Sequence, residues 1–113
     1  MKKIEAIIRP EKLDIVRKEL DKSGYPGIMI TEVEGHGKQK GIEQQWRGEK
    51  YKVEFLAKVK IEIVAKDSDA DRIVATIIQT ARTGAVGDGK IFISDVKDAV
   101  RIRTGDRGDK AIE

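Results

Sequence analysis

An α+β domain, with an antiparallel sheet backed by two helices, is the fold class this 113-residue sequence predicts. Apolar residues alternate with polar ones in four short stretches and recur at helical spacing in two longer ones. These stretches come in the order strand, helix, strand, strand, helix, strand.

Ile4, Ala6 and Ile8 alternate with Lys3, Glu5 and Ile7, a first strand ended by Arg9-Pro10. Pro10 and Glu11 suit a helix start, where a missing N–H costs little and an acid meets the dipole favourably. Leu13, Val16 and Leu20 form the apolar stripe of that helix, and Gly24 takes the C′ position that ends it. Pro26-Gly27 turns the chain into a second strand over 28–35, with Ile28, Ile30 and Glu32 on one face and Met29, Thr31 and Val33 on the other. The third strand is 55–65, where Val59, Ile61 and Ile63 alternate with Lys58, Lys60 and Glu62. Asp67 or Ser68 is placed to cap the second helix, with Asp71 as a capping-box partner. Ile73, Val74, Ile77, Ile78 and Ala81 supply its buried face, and Gly84 stops it. Ile91 and Ile93 alternate with Phe92 and Ser94 in a fourth strand. Val100 and Ile102 then alternate with Arg101 and Arg103 in a short extended segment, before a charged tail from Gly105.

This βαββαβ order is that of the ferredoxin-like fold: a four-stranded antiparallel sheet with two helices on one face, here with a long loop between strands two and three. The other sheet face needs a cover, and a closed homo-oligomer is the simplest one.

Composition narrows the function classes. The chain has room for one domain, 1–113, and 39% hydrophobic residues to fill a core. It has no cysteine, hence no disulfide and no thiolate metal site. No stretch approaches the roughly 18 apolar residues of a membrane span, nor does an apolar signal-peptide segment follow Met1, so a cytoplasmic protein without direct membrane insertion is expected. Net charge is only +3 and aromatics are 4%, which argues against nucleic acid as a partner. His36 stands without companions at metal-ligand spacing and reads as a strand-end residue. Ser23, Ser68 and Ser94 fall in turn, cap or strand positions, so no catalytic residues are assigned and an enzyme is not expected.

Three places could carry chemistry. The connection 37–54 is 18 residues long, holds eight charged residues with Trp46 and Tyr51, and lacks apolar periodicity. It reads as a mobile partner-binding loop, with an inert hairpin arm as the alternative. The segment 83–90, Thr-Gly-Ala-Val-Gly-Asp-Gly-Lys, has Walker A spacing from Gly84 to Gly89-Lys90, but Ile91 stands where Ser or Thr should hold magnesium. It also runs from helix into strand, the reverse of a P-loop. What remains is an anion cradle of glycine N–H groups with a lysine at the rim, against a plain turn as the alternative. Third, Arg101 and Arg103 share one face of an extended segment, and guanidinium forks suit phosphate oxygens.

Taken together, three groups of segments are specific in combination. The first is Thr31-Glu32-Val33-Glu34-Gly35-His36-Gly37-Lys38-Gln39-Lys40-Gly41 with Arg47-Gly48-Glu49-Lys50-Tyr51. The second is Lys58-Val59-Lys60-Ile61-Glu62-Ile63-Val64. The third is 83–92 with Arg101-Ile102-Arg103-Thr104-Gly105. In these, over essentially the whole chain, the sequence resembles the PII nitrogen-regulatory signal-transduction proteins.

The resemblance implies a homotrimer of ferredoxin-like subunits with ATP or ADP competing for clefts between neighbours. It further implies that 2-oxoglutarate binds beside Mg-ATP and reshapes the long loop, which grips or releases nitrogen-metabolism targets, among them ammonium transporters. Such a transporter could draw the protein to the membrane. By position, the phosphates would meet Gly87, Asp88, Gly89, Lys90 and Lys38, with Arg101 and Arg103 arriving from the neighbour. Val64 would touch the base, and Ile7, Gly35 and Gly37 would line the cleft. Gln39 would ligate magnesium. Lys58 would pair with 2-oxoglutarate, beside N–H groups near Gln39, Lys40 and Gly41. Tyr51 matches the tyrosine uridylylated in many bacterial members. Met29 stands where many members have a base-binding threonine. Lys38 replaces a common arginine, keeping the charge and losing the fork. Trp46 replaces a frequent tyrosine, and Ala57 a common proline. The alternatives are an adenylate-charge sensor blind to 2-oxoglutarate, a weak ATPase, and a ferredoxin-like RNA-binding module, which would need exposed aromatics on the central strands.

Overall fold

The computed structural model describes residues 1–25, 27–35, 42–46, 49–53 and 56–113, of which 34–35, 42–46, 49–53 and 56 by backbone alone. The main sheet contains β1 (Lys2–Ile8), β2 (Met29–Gly35), β5 (Leu56–Ala65) and β6 (Lys90–Asp95). Its order is β2-β5-β1-β6, antiparallel throughout. Helices α1 (Leu13–Lys22) and α2 (Asp67–Ala81) complete the ferredoxin-like arrangement.

The alternation of each central strand decides which face is buried. Ile4, Ala6 and Ile8 on β1, and Val59, Ile61, Ile63 and Ala65 on β5, join Val16 and Leu20 of α1 and Ile73 and Ile77 of α2 in one core. The opposite face is charged: Lys3 bridges Glu5 at 3.0 Å and Glu62 at 3.2 Å, and Lys60 meets Glu62 at 3.1 Å. Glu5 and Glu62 sit directly across from each other. Such a like-charge pair is unfavourable unless cations lie between, and the two lysines provide them.

Helix α1 ends as expected. Gly24 has φ +92°, its N–H reaches the Asp21 carbonyl at 3.0 Å, and the Tyr25 N–H reaches the Leu20 carbonyl at 2.9 Å. These are the two bonds of a Schellman motif. The start differs: Pro10–Lys12 form a 3-10 turn, and the α-helix begins at Leu13.

Helix α2 departs from expectation at both ends. Its N-cap is Lys66, with no side-chain cap bond; neither Asp67 nor Ser68 caps it. The Asp67 carboxylate lies 3.0 Å from the Met1 ammonium and is engaged there. Nor does Gly84 stop this helix. Arg82 does so in an extended conformation, and Gly84 belongs to the loop beyond. Ile78, expected in the core, is 48% exposed.

Two further corrections concern irregular segments. The loop expected over 37–54 contains a hairpin, β3 (Ile42–Trp46) paired with β4 (Glu49–Val53). Ile42, Trp46, Tyr51 and Val53 are strand-favouring types, and they fall within those two short runs. The segment 101–103 is not extended. The Arg101 N–H bonds the Asp106 carbonyl at 2.9 Å and the Gly105 N–H returns to the Arg101 carbonyl at 2.7 Å. Gly105, at φ +76°, permits this reversal, and a 3-10 turn over Gly108–Ile112 follows in place of a free tail.

Candidate anion site divided between the two ends of the sheet

A carboxylate organises the glycine-rich loop from within. Asp88 accepts hydrogen bonds from the Thr83 hydroxyl, from the N–H groups of Thr83 at 2.9 Å and Gly84 at 2.8 Å, and from Arg9 Nε at 3.2 Å. The Thr83 hydroxyl first, then its N–H, hold the Asp88 carboxyl well below the usual carboxylate range. Arg9 Nη2 donates to the Val86 carbonyl at 2.9 Å, and Lys58 Nζ to the Gly87 carbonyl at 2.6 Å. Two successive carbonyls are thus turned toward cations.

With these carbonyls engaged, the N–H groups of Gly87 and Gly89 donate to no other described residue. Gly87 and Gly89 have φ +104° and +102°. A Cβ on Gly89 would lie 1.7 Å from the Ile7 carbonyl oxygen, so the loop packs on the end of β1 as only glycine allows. Lys90 follows at once, opposite Ile7 in the β1–β6 ladder, with its side chain exposed. Amide donors without a partner among the described residues, positive-φ glycines and an adjacent ammonium form a donor set that fits a polyphosphate. The Asp88 carboxylate is not part of that set; it latches the loop from inside. Lys58 is half-buried, and burial first, then the charge of Arg9, lowers its pKa, with Glu11 and Asp88 acting in the opposite direction.

The remaining expected site residues separate into two groups. Ile7, Gly35, Lys58 and 87–90 gather at one end of the sheet, where Gly35 pairs with Leu56 and Val33 with Lys58. Val64, opposite Lys3, and Met29, opposite Glu62, lie toward the other end. There the chain after β6 is anchored by the Val96 N–H on the Met1 carbonyl at 3.0 Å and by Lys66 with Glu113, also 3.0 Å apart. Arg101 and Arg103 belong to this anchored segment. Lys58 and Val64 are six residues apart on β5, which at about 3.3 Å per residue separates the groups by about 20 Å. One chain therefore does not bring both groups onto one small ligand. Gly37, Lys38, Gln39, Lys40 and Gly41, with His36, lie outside the described residues. Tyr51 is placed on β4 opposite Gln44.

Two features escaped the sequence. Arg9, which read only as a strand end, spans the loop from Val86 to Asp88. An apolar groove of about 390 Å³ between α2 and β6 is lined by Val74, Ile78, Ile91 and Ile93, with Arg82 and Lys90 beside it. The only sequence signal for it was the surplus of apolar residues on α2. Among the described residues no helix is long and apolar enough to cross a membrane, and no cluster of His, Asp or Glu could hold a metal ion.

The family model described as nitrogen regulatory protein P-II matches residues 1–106. The protein named nitrogen regulatory protein P-II 2 of Methanothermobacter thermautotrophicus is 54% identical over 112 residues, covering 99% of this chain and 97% of that protein. Nitrogen regulatory protein P-II 1 of Escherichia coli is 56% identical over 112 residues, covering 99% and 100%. Nitrogen regulatory protein P-II of Klebsiella oxytoca gives the same figures.

Proposed function

The chain belongs to the nitrogen regulatory protein P-II family, and on that premise we propose that it senses ATP or ADP together with 2-oxoglutarate and reports them to nitrogen-metabolism targets. Family membership places its role in nitrogen-regulation signalling. The finer reading rests chiefly on the division of the site. Glycine N–H donors lie at one end of the sheet and two arginines at the other, so a polyphosphate held by both sets requires two copies. An interface joining opposite ends of neighbouring copies is heterologous, and a heterologous interface whose rotation closes makes a ring. A homotrimer is the ring we assign.

Bound Mg-ATP would supply the charge that joins the two ends. Gly87 and Gly89 would donate their N–H groups to phosphate oxygens, and Lys90 would add a point charge at the rim. Asp88, bonded to Thr83 and Gly84, keeps the loop in shape for this. Magnesium is assigned to Gln39. 2-Oxoglutarate is assigned to Lys58 with Gln39, Lys40 and Gly41, beside the loop from which an ammonium transporter or another target would read the state. Lys58 supports this second assignment, because its Nζ already touches the Gly87 carbonyl and so adjoins the phosphate cradle.

Isothermal titration calorimetry with ADP, ATP and Mg-ATP, then with 2-oxoglutarate added to the Mg-ATP complex, tests the reading. Nucleotide binding at one site per protomer is expected, with 2-oxoglutarate binding only when Mg-ATP is present. Nucleotide binding without 2-oxoglutarate would reduce the protein to an adenylate-charge sensor. No nucleotide binding would refute the proposal.

A further inference from the structure

The hydrogen bonds of Arg101 oppose the phosphate-binding role assigned to it. Its Nη1 donates to the Asp106 carboxylate at 3.3 Å, and its Nη2 donates to the Lys110 carbonyl at 3.0 Å and to the Glu113 backbone oxygen at 2.9 Å. A guanidinium grips an oxyanion bidentately in two ways: end-on through Nη1 and Nη2, or side-on through Nε and Nη2. Both ways use Nη2. Its two N–H groups are occupied by backbone carbonyls of the same chain, so neither fork is open while residues 110–113 stay in place. Arg103, two residues away, is exposed and has no hydrogen-bond or ion-pair partner among the described residues.

We propose that the segment 108–113 is a tethered competitor for the Arg101 fork, which a nucleotide phosphate must displace in order to bind bidentately. The proposal rests on the nucleotide reading given above. Binding then proceeds in two parts. Arg103 meets the phosphates first, and Arg101 follows as the Lys110 and Glu113 oxygens let go. Gly108 is the fixed end, its N–H bonded to the Ala99 carbonyl at 3.0 Å and the Asp98 carboxylate at 3.1 Å. Beyond it, the ion pairs that hold the segment apart from Arg101 are Lys66–Glu113 and the 4.0 Å Lys110–Asp106 contact, both exposed and weak enough for this exchange. Asp106 is outside the released part. Bonded to the Thr104 hydroxyl at 2.8 Å, it keeps the 101–106 turn intact and Nη1 aligned. Nucleotide occupancy is thereby coupled to the exposure of a short segment far from the long loop, a second output of the same event.

Hydrogen exchange on the full chain, with and without Mg-ATP, reads the release directly. Amides of 108–113 should exchange faster with Mg-ATP bound, while those of α1 do not. In Arg101→Lys, which has no fork, the Mg-ATP effect on these amides should vanish. Glu113→Ala, which removes the Lys66 tie and leaves Arg101 in place, should bind Mg-ATP about twofold more tightly. Nucleotide binding accompanied by unchanged or slower exchange over 108–113 would overturn the competitor, whatever becomes of the wider function. Absence of nucleotide binding to the wild-type protein would instead remove the reading on which the proposal stands.

Discussion

Replacing Gly89 by alanine should be more damaging than the same change at Gly84, at the other end of the glycine loop. A side chain at φ +102° costs about 1–2 kcal/mol in backbone strain alone. The new Cβ would also stand 1.7 Å from the Ile7 carbonyl oxygen and 2.8 Å from its carbon. An ordinary carbon–oxygen contact is about 3.3 Å, so the loop or the end of β1 would have to withdraw by about 1.5 Å. That movement pulls on the first β1–β6 pair, Ile7 with Lys90, and on the Lys58 bond to the Gly87 carbonyl. Losing the better part of one hydrogen bond adds about 1–2 kcal/mol, for a total of about 3 kcal/mol. At about 4 °C per kcal/mol for a domain of this size, Tm should fall by about 12 °C. Gly84→Ala is the control. Gly84 also has positive φ, +88°, but a Cβ there meets nothing within 4 Å, so only strain applies and the fall should be about 4–8 °C. Scanning calorimetry without nucleotide, at a fixed protomer concentration, measures both. If Gly89→Ala proved no less stable than Gly84→Ala, the close approach of the loop to β1 would be refuted.

Three other outcomes follow from the site. Lys90→Ala and Arg103→Ala should each lose ATP affinity, and random co-assembly of the two variants should restore about a quarter of the interfaces. No recovery in calorimetry of the mixture would put the whole site within one chain. Lys58→Ala should abolish 2-oxoglutarate binding and weaken ADP by no more than about fivefold through the lost bond to Gly87; equal loss of both would refute the separation of the two subsites. Asp88 has a depressed folded-state pKa, so its stabilising effect is complete above the ordinary carboxylate range and is lost as pH falls below it. Asp88→Asn should accordingly lower Tm at neutral pH and leave a shallower decline between pH 5 and 2, and an unchanged slope in that acid range would count against the latch.

The regular elements were legible because periodicity writes burial directly into sequence. Val59, Ile61 and Ile63 could face only one way, and Gly24 met its Schellman role through local bonds alone. Expectations failed where a tertiary or turn contact engaged the atoms the local pattern had assigned elsewhere. Asp67 looked like a cap but is engaged by the Met1 ammonium, a partner 66 positions away. The 101–103 segment looked extended because its residues alternate, yet Arg101 and Asp106 close a turn there. The 37–54 connection read first as a mobile loop and only in the alternative as a hairpin arm, because the short β3–β4 pairing gave too few alternations to choose between them.

By itself the sequence determined the family, the βαββαβ order, the core face and the glycine loop, since each depends on residue types at short spacing. Tertiary structure alone decided what those pieces do together. The Val86 and Gly87 carbonyls turn toward Arg9 and Lys58, and two glycine N–H groups have no acceptor among the described residues. The length of β5 sets the two halves of the proposed site about 20 Å apart. Arg101 is bound by its own chain. The first depends on groups 29 and 77 positions apart, and the second on which residues the sheet register places at each end. The third depends on a turn that brings the chain end back to Arg101; alternation alone encodes none of them.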